Sequence, residues 1–315
     1  MDGNLNVIIN QVFLFGILMF IGFLASKTKV ITEDGLVHLA RFIVKIVLPS
    51  LIFTVVAGSG LKIEDILLSW KFLLACLLLF SILPILGLLV GKVFKLSGSS
   101  LYLFIALSTF GNMGFIGIPL INEVYKDSLA GVSITIYTLV DMSLLWTFGV
   151  YLCSMHLSGN SIKSSIKNMI NPTTIALFIS IMVLLFNIRI PKVITDTIYG
   201  IGGTSKYLTM IYLGSALSFI EHRGILRKYH IYVLVISKMI IIPVVFFGIF
   251  KNYLPSTQVG ILTIVSGLPT MTMVVMLAKT YRSDDKLATE TIFITTIACL
   301  ITIPIVSLLN SYIWR

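Results

Sequence analysis

The sequence predicts an all-α membrane protein of ten transmembrane helices in two inverted five-helix repeats, with the fourth and ninth helices broken. Three observations carry that expectation: a composition too poor in charge to face water, ten continuous apolar runs, and a match between the two halves of the chain. Of 315 residues, 57% are hydrophobic and 11% are charged, with a mean hydropathy of +1.03. Soluble domains carry about 25% charged residues, so lipid must be the solvent for most of this chain. A transmembrane β-barrel is excluded, because its short strands alternate apolar and polar residues and the runs here are unbroken.

A spanning helix needs about 20 mainly apolar residues at about 1.5 Å rise each. The runs that qualify are 6–26, 36–57, 70–92, 99–123, 129–154, 172–188, 203–220, 229–250, 258–280 and 288–312. The first lacks a basic leader and is too long for a cleavable signal, so it is read as a span. Connections of about 15 residues at most leave no room for a soluble domain.

Basic residues set an orientation. Loops after odd-numbered spans hold Lys27, Lys29, Arg41, Lys92, Lys95, Lys163, Lys167, Arg223, Arg227, Lys228, Lys279, Arg282 and Lys286. The opposite side holds Lys62, Lys71, Lys126, Arg189, Lys192, Lys206, Lys251 and Arg315. The richer set is expected in the cytoplasm, which puts both termini outside a cell membrane. The net charge of +10 then reflects loops facing anionic lipid and calls for no nucleic acid. Cys76, Cys153 and Cys299 fall inside spans at spacings that fit neither zinc nor a disulfide framework. His38, His156, His222 and His230 are scattered near span ends. Neither HExxH, GxSxG, Walker nor GxGxxG patterns occur, so the sequence offers no basis for an enzyme, a metal or a cofactor.

The halves match at a shift of 156 residues. Tyr125-Lys126 falls on Tyr281-Arg282, Thr135-Ile136-Tyr137 on Thr291-Ile292-Phe293, and Gly111 on Gly267. Near this register Pro84 of span 3 and Pro243 of span 8 occupy similar places. Each half (1–157 and 158–315) holds five spans, an odd number, so the second must enter the membrane inverted, as in many secondary transporters. The matched spans 4 and 9 are both interrupted, by Gly111, Asn112, Gly114, Gly117 and Pro119 in one and by Gly267-Leu268-Pro269-Thr270 in the other. Gly weakens a helix and Pro removes a donor, and broken backbone at membrane depth survives only in protein or beside a cavity. A half-helix restarting there presents free N–H groups and a positive dipole end, a ready anion site. The competing account is a small-residue face for close packing, against which Asn112 and the matched break weigh.

The run Gly111-Asn112-Met113-Gly114-Phe115-Ile116-Gly117-Ile118-Pro119-Leu120 resembles the signature of the auxin efflux carrier family, in its bacterial permease branch. Leu268-Pro269 with Ala278-Lys279-Thr280-Tyr281 resembles that family's second crossover helix. Gly202-Gly203-Thr204 to Leu213-Gly214-Ser215-Ala216-Leu217 resembles its seventh helix, and Lys238 before Pro243 a pattern in its eighth. The resemblance implies crossed helices 4 and 9, a homodimer, and elevator-type transport of a small organic anion such as a mono- or dicarboxylate. Spans 1, 2, 6 and 7 would form the scaffold, and spans 3–5 with 8–10 the moving unit. Lys206-Tyr207, Val274 and Asp141 depart from the family pattern. A bile-acid-type sodium-coupled symporter shares this architecture, and a membrane sensor that binds without transport remains the alternative class.

On this reading Asn112 donates to a substrate carboxylate, helped by the N–H groups of Met113 and Gly114 and by Thr270. Gly111, Leu268 and Pro269 shape the breaks, and Ser50 after Pro49 lines the facing wall. Asp141 is the one acid well inside a span, and Lys45 and Lys238 are the bases inside one. Burying such charge costs several kcal/mol, so both should face protein or water: Asp141 is expected to couple a proton or sodium ion, with Lys238 as partner or substrate counter-ion, the competing account being a fixed structural pair. Lys45 lies near a helix end and should snorkel. Trp70, Trp146 and Trp314 are expected as interfacial anchors, and Met271, Met273 and Met276 as packing.

Overall fold

The computed structural model describes residues 2–57, 63–155, 172–186, 188–219 and 228–313. The repeat boundary at 157/158, the bases Lys62, Lys163, Lys167, Arg223, Arg227 and Arg315, and His156, His222 and Trp314 lie outside them. The described residues form helices and no named strand. In chain order these are α1 (Asp2–Lys27), α2 (Glu33–Ala57), α3 (Ile63–Leu68), α4 (Trp70–Val93), α5 (Gly98–Thr109), α6 (Met113–Val124), α7 (Ser128–Ser154), α8 (Pro172–Leu185), α9 (Lys192–Gly203), α10 (Ser205–Ser218), α11 (Tyr229–Phe250), α12 (Ser256–Ser266), α13 (Thr272–Thr280) and α14 (Asp285–Ile313). Six of them, α1, α2, α4, α7, α11 and α14, are long and apolar enough to cross a membrane.

The remaining helices are shorter because the sequence interrupts them. The fourth apolar run becomes α5 and α6, separated at Phe110–Asn112. The ninth becomes α12 and α13, separated at Gly267–Met271. The sixth ends at Leu185, short of the expected 188. The seventh starts at Ser205, behind a separate helix α9 in a stretch expected to be a connection. Packing decides this last difference. At Gly202 a Cβ would stand 3.1 Å from the Leu51 Cα, so the missing side chain lets α9 lie on the backbone of α2.

Small residues seat α1 against α10. A Cβ on Gly22 would collide with the Ile211 carbonyl, and one on Gly214 with the Met19 carbonyl. The Ser215 hydroxyl donates to the Gly22 carbonyl at 2.9 Å. In lipid such backbone approach supplies the contact energy that hydrophobic exclusion supplies in water. The other main contacts are α2 on α8 and α9, α4 on α5, α11 on α12, and α14 against α1, α5 and α11. Phe110, at the first break, and Lys238 are among the side chains buried deepest.

Candidate functional site

The two breaks meet. Gly111 and Thr270 pair as antiparallel extended residues. Asn112 N donates to the Pro269 carbonyl at 2.8 Å, and Met271 N to the Phe110 carbonyl at 3.0 Å. Each interrupted helix therefore satisfies part of the other's freed backbone, which is what allows the break at membrane depth. Side chains reinforce the pairing. Thr270 Oγ1 donates to the Leu107 carbonyl at 3.1 Å, and Thr270 N donates to Thr295 Oγ1 at 3.2 Å. Gly111 is required for the approach, since a Cβ there would stand 2.9 Å from Leu268 Cβ.

Asn112 has two bonds of its own. Its Oδ1 accepts from Phe115 N at 3.3 Å, capping α6, and its Nδ2 donates to Thr272 Oγ1 at 3.2 Å. The amide expected to reach a substrate thus ties the start of α6 to the start of α13. The first turns of both half-helices, Met113-Gly114 and Thr272-Met273, wall one cavity. The positive dipole ends of two helices thus meet at one cavity. The Met113 N–H, expected to serve a substrate, instead donates to the Gly111 carbonyl at 2.7 Å, because the backbone turns tightly at Asn112.

Apart from Thr138 and Thr173, the rest of that wall is apolar or aromatic, including Val44, Leu48 and Ile52 from α2, Met142 and Trp146 from α7, Tyr212 from α10, and Met271 and Met276. Neither Lys, Arg nor His is among its residues. Its volume is about 40 Å³, room for roughly one or two waters, so the cavity is collapsed and a larger ligand must displace a wall. Two buried polar atoms on this wall lack a hydrogen-bond partner, Thr138 Oγ1 and Trp146 Nε1.

Of the expected site residues, Asn112, Met113 and Gly114 line the cavity. Gly111, Leu268, Pro269 and Thr270 form the strap behind it. Ser50 stands outside it, its hydroxyl returned to the Ile46 carbonyl at 2.8 Å, while Leu48 and Ile52 face it. Thr138, Trp146, Tyr212 and Thr272 were not anticipated. Trp70 is half exposed, but Trp146, expected at an interface, is 7% exposed and walls the cavity. Each of the four described π-turns brings a residue here or to the strap: Val44 in Ile43–Val47, Met113 in Met113–Gly117, Trp146 in Leu145–Gly149 and Lys238 in Ser237–Ile241. Such turns rotate the helix face by a fraction of a turn and are frequent at functional sites.

Lys238 and Asp141 are 1% and 0% exposed. Lys238 Nζ donates to the Phe110 carbonyl at 3.5 Å, on the strap itself. Neither carboxylate oxygen of Asp141 has a hydrogen-bond partner. Among the described residues, the ion pairs do not include these two. Lys45 is exposed on the outside of the bundle, as a snorkelling lysine is.

A family model described as "Membrane transport protein" matches residues 7–307. The chain belongs to that membrane transport family. An uncharacterized transporter of Methanocaldococcus jannaschii is 26% identical over 304 residues, covering 92% of this chain and 94% of its own. Membership makes transport the role of this membrane transport protein.

Proposed function

We propose that this protein is an elevator-type secondary transporter of organic anions, built from ten spans in two inverted repeats, 1–157 and 158–315. The observation that carries the reading is the convergence of two half-helix N-termini on one cavity across a hydrogen-bonded strap. The packing supports the repeat. Exchanging the halves turns the first and second spans (α1, α2) into the sixth and seventh (α8, α10). The contact of α1 with α10 then becomes that of α8 with α2, and both are present. Spans 1, 2, 6 and 7 are the scaffold and homodimer surface, spans 3–5 and 8–10 the unit that moves, and the bilayer is that of the cell membrane.

The cavity favours one class among carboxylates. Dipole ends, Thr138 Oγ1 and Trp146 Nε1 suit a single carboxylate, while the methionines and rings suit an apolar body. A second carboxylate would be buried without a cation, at a cost of several kcal/mol. Coupling is assigned to Asp141. A carboxylate buried without donors is costly to keep charged, and taking up a proton removes that cost. Lys238, already on the Phe110 carbonyl, supplies the positive charge that sodium would bring, so the coupling ion is a proton.

Counterflow in proteoliposomes tests the substrate class. Aromatic or branched monocarboxylates should exchange at least 10-fold faster than malate or malonate. Preference for a dicarboxylate would overturn the assignment, and binding without flux would make the protein a sensor.

A further inference from the structure

A second cavity, of about 370 Å³, opens beside Lys126 and Asp127 and is walled by Thr257, Thr263, Ser307 and Asn310. It shares Thr263, Ile264 and Ser307 with a narrow cleft of about 10 Å³ that continues to Met239, Pro243 and Gly267, room for roughly one water. Neither shares a wall with the substrate cavity. The cleft reaches the Gly267 end of the α12–α13 break, whereas the substrate cavity lies at its Met271 end.

The outer cavity is polar, and Thr263 and Ser307 carry hydroxyls into the otherwise apolar cleft. Asn310 Oδ1, on a residue 5% exposed, lines the cavity and has no hydrogen-bond partner. Thr296 Oγ1 is likewise buried and unpartnered. Thr296, Ile303, Ser307 and Asn310 are spaced by seven, four and three residues, so they share one face of α14. That face ends beside Thr295, which holds the strap at Thr270 N. Buried polar atoms are normally satisfied by protein or by water. At the cleft's inner end Pro243 offers no N–H to the Met239 carbonyl four residues earlier, and this carbonyl faces Gly267, 3.4 Å from where a Cβ would stand. Lys238, the residue before Met239, donates to the Phe110 carbonyl on the strap, and Asp141 is buried with both carboxylate oxygens unpartnered.

We propose that this cavity and cleft are a water-filled path, separate from the substrate route, that carries protons between the face bearing Lys126 and Asp127 and the buried Lys238–Asp141 pair. The proposal rests on proton coupling at that pair. Water access to the cleft is measured independently of any transport.

Ser307→Cys places a near-isosteric thiol where cavity and cleft join, and Ile301→Cys, on the same helix and 61% exposed, faces lipid as the control. The native thiols Cys76, Cys153 and Cys299 are buried, so added mass after a water-soluble methanethiosulfonate ethylammonium reagent reports the new site. In nanodiscs Ser307→Cys should react at least 10-fold faster than Ile301→Cys. The modified protein should lose proton-driven accumulation of a monocarboxylate and keep counterflow. Equal labelling rates would overturn the path, and loss of counterflow with accumulation would place the cavity on the substrate route. Asn310→Leu, which removes the unpartnered oxygen, should lower proton-driven accumulation with counterflow intact. Wild-type accumulation in that variant would also overturn the proposal. If no carboxylate is transported at all, coupling at Asp141 fails while the labelling result still decides whether water reaches the cleft.

Discussion

Gly111 holds the two broken helices at a distance no other residue permits. Adding a methyl group against Leu268 Cβ at 2.9 Å, with the Val265 carbonyl 3.5 Å away, overpacks the site at a cost of about 1–3 kcal/mol. Gly111→Ala should therefore lower the melting temperature of the purified protein, and an unchanged melting temperature would show the strap to be looser than drawn. Trp146 separates stability from function. Its buried Nε1 has no partner in the empty cavity, and an unsatisfied buried donor costs about 1–3 kcal/mol. Trp146→Phe should leave the empty protein as stable as wild type or more so, yet weaken monocarboxylate binding about 10-fold in a thermal-shift titration, the loss of about 1.4 kcal/mol. Equal affinity in the two proteins would remove Trp146 from the site. Asn112 and Gly111 were legible because Gly, Asn and Pro inside an apolar run contradict a continuous helix. Trp146, Thr138 and Tyr212 were not, because in a span apolar on all sides nothing marks which face turns inward.

At the scale of elements, the breaks in the fourth and ninth runs could be read from composition, but the π-turns could not. Nothing distinguishes Ile43–Val47 or Ser237–Ile241 in sequence from the α-helix around it, and the turn arises where packing demands a shifted face. Helix α9 was missed for a related reason, since its stability comes from Gly202 against α2. The glycines of α1 and α10 carry a sharper expectation. Gly214→Leu drives a side chain into the Met19 carbonyl and should prevent recovery of folded protein, while Gly203→Ala, in open space, should be tolerated. Lys206, in α10, reaches Glu123 of α6 at 2.5 Å, and Lys126 shares that carboxylate at 3.2 Å. This pair ties a scaffold helix to a moving one in the proposed division. Both side chains are partly exposed, so it contributes at most about 1 kcal/mol and is weakened by salt. Glu123→Gln should raise counterflow rates several-fold at low ionic strength, with the difference vanishing in high salt. Identical rates at both would mean that the pair does not restrain the movement.

For the whole molecule, the decisive quantity in the proposed elevator is the charge carried by the moving unit. In that division Lys238 and Asp141 both belong to it, on α11 and α7, and neither reaches water directly. With Asp141 ionised the buried pair is neutral overall, and with Asp141 protonated the unit gains one positive charge that a bound carboxylate cancels. Under the proposed coupling, proton and anion then travel together, and substrate would be accumulated at the expense of the proton gradient. Asp141→Asn fixes the protonated form in size and polarity. It should keep counterflow, because the anion still cancels Lys238, and lose accumulation driven by a pH gradient. Lys238→Met in the native background leaves Asp141 as an uncompensated buried charge and the Phe110 carbonyl without its donor, a loss of about 3–5 kcal/mol if Asp141 stays ionised. Joining Lys238→Met to Asp141→Asn should restore most of that stability although the two side chains form no ion pair, a coupling that a double-mutant cycle measures directly. The double variant should still expose the substrate cavity but bind an anion weakly, having no positive charge to offset it. Additive losses in the cycle, together with pH-driven accumulation in Asp141→Asn, would show that the two charges are independent and that the proton enters elsewhere.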